Sequence, residues 1–174
     1  MSTAAGVNRE LHIVGFQVGR ETYGVAITSL HEIVRVPEIT AVPDAPHYME
    51  GVINLRGKIV SVVDLRRRFG EKDIKPTKKN RILVSEVHGK LVGLIVDSAS
   101  EVLKIPESDV ELPPVFEQGE LNYVTGVGKL NGRLIILIDL NRILQKGELK
   151  RMGEVVEPQL SSAAAAAAGL QERH

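Results

Sequence analysis

The chain has 174 residues, 43% of them hydrophobic and 25% charged, the balance of a folded protein with one ordinary domain or two very small ones. Its 22 Lys+Arg and 22 Asp+Glu cancel, so no long-range field draws it to nucleic acid or to an anionic membrane. It contains no cysteine, which excludes disulfides, thiol nucleophiles and cysteine-based zinc sites.

Met1–Glu10 lacks the apolar centre of a secretory signal. No apolar run approaches the roughly 20 residues of a membrane-spanning helix. The expected location is therefore the cytoplasm, without direct membrane insertion. Aromatic residues are only 3%, with no tryptophan. The core then rests on Val, Ile and Leu in short strands, and the chain lacks the exposed rings on which single-stranded nucleic acid stacks.

Residues 1–10 are small and polar and read as a disordered N-terminus. Leu11–Val18 reads as a strand, turning through Gly19-Arg20-Glu21-Thr22 into a second strand, Tyr23–Ile27. His31–Val36 follows and is closed by Pro37, which cannot continue a ladder. Leu55-Arg56-Gly57-Lys58 is a hairpin turn in which Gly57 supplies the positive φ, leading into the nearly all-apolar Ile59–Val63. Asp64 then precedes a helix-compatible stretch, Leu65–Phe69. Polar Glu71–Asn80, holding Pro76, separates this half from the next.

The second half runs through the same events. Arg81–Val87, a turn at His88-Gly89-Lys90, Leu91–Val96 and Ser100–Ile105 read as strands, the last closed by Pro106. Leu130-Asn131-Gly132-Arg133 is a hairpin turn with Gly132 in the place of Gly57. It leads to Leu134–Ile138, Asp139 and helix-compatible Leu140–Gln145. From residue 149 to 174 the sequence is polar, with six alanines within Ser161–Gly169. Alanine favours helix, but a short isolated helix is marginal in water, so a frayed tail, helical or disordered, is expected.

The two halves are copies. Gly51–Arg67 is echoed by Gly126–Arg142 at an offset of 75 residues (126 − 51), with Gly, Val, Leu, Gly, Asp, Leu and Arg recurring in register. Glu32–Pro37 is echoed by Glu101–Pro106, and Gly24–Ile27 by Gly93–Val96, both at 69 residues (101 − 32). A six-residue insertion within Glu107–Thr125 accounts for the change of offset. Short strands between turns imply small barrels, whose closure removes exposed edges. Units this small should pack on each other, leaving a groove between them.

Catalytic chemistry is missing. Asp64 and Asp139 occupy the same place in each copy, as helix N-caps do. The five histidines fit no zinc spacing. No Walker-type loop, GxGxxG or Gly-x-Ser-x-Gly occurs. No metal, cofactor or catalytic residue is expected. Arg66-Arg67-Arg68 reads as a solvated helix face or as a contact to an acidic partner. Positions shared by both copies specify structure, and positions held by one copy are candidates for a specialised task. Asn54 and Arg56 are of the second kind, because Lys129 and Asn131 replace them. A guanidinium on a rigid hairpin can anchor a partner's carboxylate or carbonyl groups.

Tyr23–Ile27, Glu32-Ile33 and above all Asn54-Leu55-Arg56-Gly57 with Ile59–Arg66 resemble the CheW-like family of chemotaxis coupling proteins. The likeness spans about residues 11–145. It implies an all-β fold of two SH3-like five-stranded barrels, subdomain 1 near 11–75 and subdomain 2 near 76–148. It also implies a non-enzymatic adaptor between the hairpin tip of membrane chemoreceptors and the regulatory domain of a CheA-type histidine kinase. By motif match Arg56, Asn54, Leu30 and Glu32 become the receptor-binding residues, near the inter-barrel groove; no kinase-contact residue is assigned. Gly57, Gly132, Asp64 and Asp139 remain structural. The pathway served, flagellar or a surface-motility or pilus system, stays open. A nucleic-acid-binding small barrel is the remoter alternative.

Overall fold

Each apolar run bounded by a glycine-containing turn becomes a strand in the computed structural model, which describes residues 9–112 and 122–158. The first copy supplies β1 (Glu10–Val18), β2 (Glu21–Ala26), β3 (Leu30–Arg35), β4 (Met49–Leu55), β5 (Lys58–Asp64) and α1 (Leu65–Arg68). The second supplies β6 (Arg81–Val87), β7 (Lys90–Val96), β8 (Ser98–Pro106), the two-residue β9 (Val110–Glu111), β10 (Val124–Leu130), β11 (Arg133–Ile138) and α2 (Leu140–Ile143). The expected disorder of residues 1–8, the alanine run and residues 113–121 of the interval that holds the expected insertion fall outside the described residues.

Two sheets result, ordered β3-β6-β7-β5-β4 and β8-β1-β2-β11-β10-β9. They do not follow the chain division at 75/76. Each copy sends its first hairpin into the other copy's sheet: β6-β7 sits between β3 and β5, and β1-β2 sits between β8 and β11. The ladders are images of one another under the two offsets. Ser61 faces Val92 in the parallel pair β5-β7, and Ile136 faces Tyr23 in β11-β2. Ile33 faces Leu83 in β3-β6, and Val102 faces Val14 in β8-β1. The physical reason lies in the links. Only the 3-10 turn Ile27–Ser29 joins β2 to β3, and only Asp97 joins β7 to β8. Such short links carry the chain onward to the neighbouring sheet rather than back along the same one. The exchanged hairpins then cover edges that each copy alone would leave open.

Period-two alternation serves two cores at once. Ile82 and Val84 point into the five-stranded sheet's own core with Ile53, Val60, Val62 and Ile95. Leu83 and Val87 point the other way, into the largest core, which also takes Val14, Phe16 and Val25 from the six-stranded sheet. Ile13, Ile105, Ile135 and Leu137 form the third core. The six-stranded sheet has one strand more than expected, because β9 pairs with β10 where the other sheet has only a bridge between Thr40 and Val52.

The described start of the C-terminal tail is helical and packed rather than frayed. Residues 146–158 form a helix, α3. Leu149, Met152 and Val156 are buried in the largest core. Their i, i+3, i+7 spacing is an apolar stripe. Burying such side chains contributes about 1.5–3 kcal/mol each, which outweighs the roughly 1 kcal/mol helix penalty of each of Gly147 and Gly153.

Candidate functional site

Leu55 pairs with Lys58, leaving Arg56-Gly57 as a two-residue hairpin loop between β4 and β5. Both loop residues have positive φ, 51° and 86°, as do Asn131 (52°) and Gly132 (77°) in the equivalent loop. This is the backbone twist that two-residue hairpins favour. Glycine adopts it freely and asparagine readily, whereas for arginine it costs about 1–2 kcal/mol. Asn54 helps to offset that cost: its Oδ1 accepts a hydrogen bond from the Gly57 N–H at 2.8 Å, fixing the loop. The second copy has the compliant residue in the loop itself and Lys129 at the Asn54 position.

Arg56 projects from this turn and donates through Nη2 to the Glu32 carboxylate on β3, joining the hairpin tip to a strand of the same sheet. The arginine side chain stays 72% exposed, while Glu32 is 27% exposed. The guanidinium keeps further donors facing solvent. Three of the four residues singled out from the sequence thus gather at one turn. Leu30 differs. A bulge falls between Leu30 and Glu32, and Leu30 packs partly buried against the core that joins the two sheets. Asn54 also differs in its role, because its carbonyl is committed to the loop.

The Arg66-Arg67-Arg68 triplet is not a uniformly solvated face, since only Arg67 stays largely exposed. Arg66 is 5% exposed. It bridges Asp64 at 2.9 Å and Asp97 at 3.3 Å, and also donates to Asn80. Arg67 pairs with Glu50 at 3.1 Å. Arg68 grips both oxygens of Glu148, at 2.7 and 2.6 Å, and donates to the Ile143 carbonyl. Charge alone gave no sign of this. The hairpin exchange sets β7 beside β5 and so brings Asp97 within reach of Arg66 next to Asp64.

Asp64 and Asp139 accept hydrogen bonds from the Arg66 and Asn141 N–H groups at 2.9 Å, capping α1 and α2. Gly24 and Gly93, shared by the copies, allow close packing. A Cβ at Gly24 would stand 2.5 Å from Ile13, and one at Gly93 would stand 2.9 Å from Ile82. Among the described residues no group of three or more His, Asp or Glu is placed to hold a metal ion, and no helix is long and apolar enough to cross a membrane.

Comparison with known proteins covers this same region. Residues 12–148 match the model of the CheW-like domain. The chain is 35% identical over 136 residues to the chemotaxis protein CheW of Helicobacter pylori, covering 78% of this chain and 82% of that one. It is 26% identical over 144 residues to protein FrzA of Myxococcus xanthus, covering 82% and 90%. The crystal structure of the scaffolding protein TtCheW from Thermoanaerobacter tengcongensis superposes with a TM-score of 0.73 at 38% identity, covering 80% of this chain and 96% of that one. The exchanged-hairpin double barrel, the Asn54–Gly57 turn and the family match over 12–148 agree, and the chain belongs to the CheW-like domain family.

Proposed function

We propose that this chain is a non-enzymatic adaptor of chemotaxis signalling. It holds the cytoplasmic hairpin tip of membrane chemoreceptors beside the regulatory domain of a CheA-type histidine kinase. The protein acts in the cytoplasm and is recruited to receptor arrays. The observation that carries this reading is the Arg56 turn. An arginine held in left-handed backbone, buttressed by Asn54 and aimed by Glu32, keeps a backbone cost that the second copy avoids with Asn131. Strain retained at an exposed position points to a task at that position. A guanidinium anchored on one edge presents its other donors in fixed geometry, suited to a carboxylate or to carbonyls at a helical turn.

The adaptor does no chemistry. Its contribution is to hold two partners at a fixed separation, which the shared core between its barrels keeps rigid. The test is co-sedimentation of the full chain with a receptor cytoplasmic fragment and a CheA-type kinase. The wild type should bring both down. Arg56→Glu should lose the receptor, keep the kinase and unfold at nearly the wild-type temperature, since an exposed ion pair contributes only about 0.2–1 kcal/mol. Undiminished receptor binding by Arg56→Glu would sink the assignment of this turn as the docking site.

A further inference from the structure

The two copies carry different charge at one matching edge. Arg35, the last residue of β3, stands directly opposite Arg81, the first residue of β6. At the equivalent positions of the second barrel Lys104 faces His12, so an imidazole takes the place of one guanidinium. Like charges directly opposite on paired strands destabilise them. The surroundings add to the repulsion, because residues 72–81 hold five Lys or Arg against the single acid Asp73. Among the described residues Arg35, Lys78, Lys79 and Arg81 make no ion pair, with Asp73, with Glu38 beyond Pro37 or with any other acid. The remaining acids of the neighbouring elements are engaged elsewhere. Asp97 takes Arg66 and the Gly19 N–H, Glu32 takes Arg56, Glu86 takes His31, and Glu71 lies against Gly19. Arg81 is held in place, its Nη1 donating at 2.8 Å to the carbonyls of Lys78 and Asn80. Beside Arg35, Val36 is 37% exposed, whereas its counterpart Ile105 is fully buried.

We infer that this edge is a docking surface for an acidic polypeptide segment, one that sets carboxylates against Arg35 and Arg81 and lays an aliphatic side chain on Val36. A repulsion kept at an exposed position, where an acid in place of one arginine would stabilise the strands, marks a site at which stability yields to binding. Carboxylates accept paired hydrogen bonds from guanidinium groups. Complementary charge then adds attraction on binding while it removes the repulsion between the two arginines. Arginine is also enriched in protein interfaces. The exposed valine, the 3% aromatic content and the zero net charge favour a polypeptide over nucleic acid as the occupant. Arg35 lies at the opposite end of β3 from Leu30, and the inference does not rest on the proposed receptor contact.

The test titrates the full chain with the blocked pentapeptide Asp-Glu-Leu-Glu-Asp and follows backbone amide resonances. Saturable shifts are expected at Arg35, Val36 and Lys78–Arg81, and the peptide Lys-Lys-Leu-Lys-Lys should produce none. Arg35→Glu should weaken the acidic peptide roughly tenfold or more and at the same time raise the unfolding temperature, since a carboxylate then faces Arg81. Arg35→Gln, which only removes the charge, should move both readouts in the same directions by smaller amounts. Lys104→Glu, the same charge change at the equivalent place on the second copy, should leave peptide binding within about twofold. Undiminished binding by the Arg35 variants, loss of binding together with loss of stability in both, or equal weakening by Lys104→Glu would overturn the inference. Equal or tighter binding of a single-stranded DNA of the same charge would also overturn it and reassign the edge to nucleic acid.

Discussion

Arg68, in the short helix of the first copy, holds both carboxylate oxygens of Glu148 at the start of α3, 80 residues away in sequence. Tyr48 adds a hydrogen bond to the Glu148 carbonyl at 3.0 Å. The Glu148 carboxylate also accepts from the Gln145 N–H at 3.0 Å, as in the return half of a capping box. One residue therefore starts the helix and ties it to the first copy. The pair is neither fully buried nor open, at 27% and 21% exposure. Arg68→Ala should therefore destabilise by about 2 kcal/mol, between the values for exposed and buried pairs. In a chain of this size that lowers the melting temperature by about 4–8 °C, and calorimetry checks it.

The same contact has a defined pH dependence. Burial opposes ionisation of Glu148, but the hydrogen bonds from Arg68 and Gln145 and the Arg68 charge outweigh it, so its pKa lies below 4.5. A carboxyl whose folded pKa is depressed stabilises above its unfolded pKa and loses that stability as pH falls through the folded value. The stability difference between wild type and Glu148→Gln should be flat from neutrality down to about pH 5. It should shrink only below that, as urea unfolding at stepped pH would show. A difference that shrinks already between pH 7 and 5 would contradict this origin.

Much of this was legible in the sequence, and what was not has physical causes. The repeat offsets foretold the strands and the two capping aspartates, because turns and caps are local. The exchange of hairpins was not legible. Periodicity says that Leu91–Val96 is a strand but not that it lies beside Ser61–Asp64. Arg56 and Glu32 were singled out separately, yet their ion pair depends on β3 and the β4-β5 tip sharing a sheet. The solvated face read from charge holds only for Arg67; Asp64 and Glu148 draw Arg66 and Arg68 inward, and Glu50 pairs with Arg67 at the surface. The stripe Leu149, Met152, Val156 was present in the sequence and was masked by the polar residues around it.

Asp64 and Asp139 are equivalent caps in unequal surroundings, and their removal should differ accordingly. Asp139 is partly exposed and pairs only loosely with Arg142, at 3.6 Å. Asp139→Ala should cost about 1 kcal/mol, the value of a cap. Asp64 is 3% exposed and receives three bonds from Arg66, which is itself buried. Asp64→Ala leaves that guanidinium inside with Asp97 as its remaining anion, so about 3–5 kcal/mol is expected. Paired urea titrations decide it, and equal costs would count against the buried network.

The tyrosines should ionise late. Tyr23 stacks between Phe16 and Phe69, at ring separations of 5.7 and 4.8 Å. Burial, aided by Tyr123, Glu21 and Glu71, pushes its pKa up to about 12. Burial also raises Tyr48 and Tyr123. A raised folded pKa means stability that is complete below the unfolded value of 10 and is lost as pH climbs toward 12. Ultraviolet titration of the folded chain should therefore show little tyrosinate at pH 10. In concentrated urea the three tyrosines should titrate together near that value.

The exchanged hairpins make a prediction about the whole chain. If each copy folded its own barrel, fragments 1–75 and 76–174 would each form a sheet alone. In the observed topology fragment 1–75 lacks β6-β7, which lie between β3 and β5, and fragment 76–174 lacks β1-β2, which lie between β8 and β11. Each fragment is then a set of strands with missing neighbours and uncovered edges, and each also gives up the other's share of the largest core. Neither should show a cooperative unfolding transition by circular dichroism. Mixed in equal amounts, they should recover the β-sheet spectrum and migrate as one species in size-exclusion chromatography, because each supplies the hairpin that completes the other. Independent folding of either half would refute the exchange.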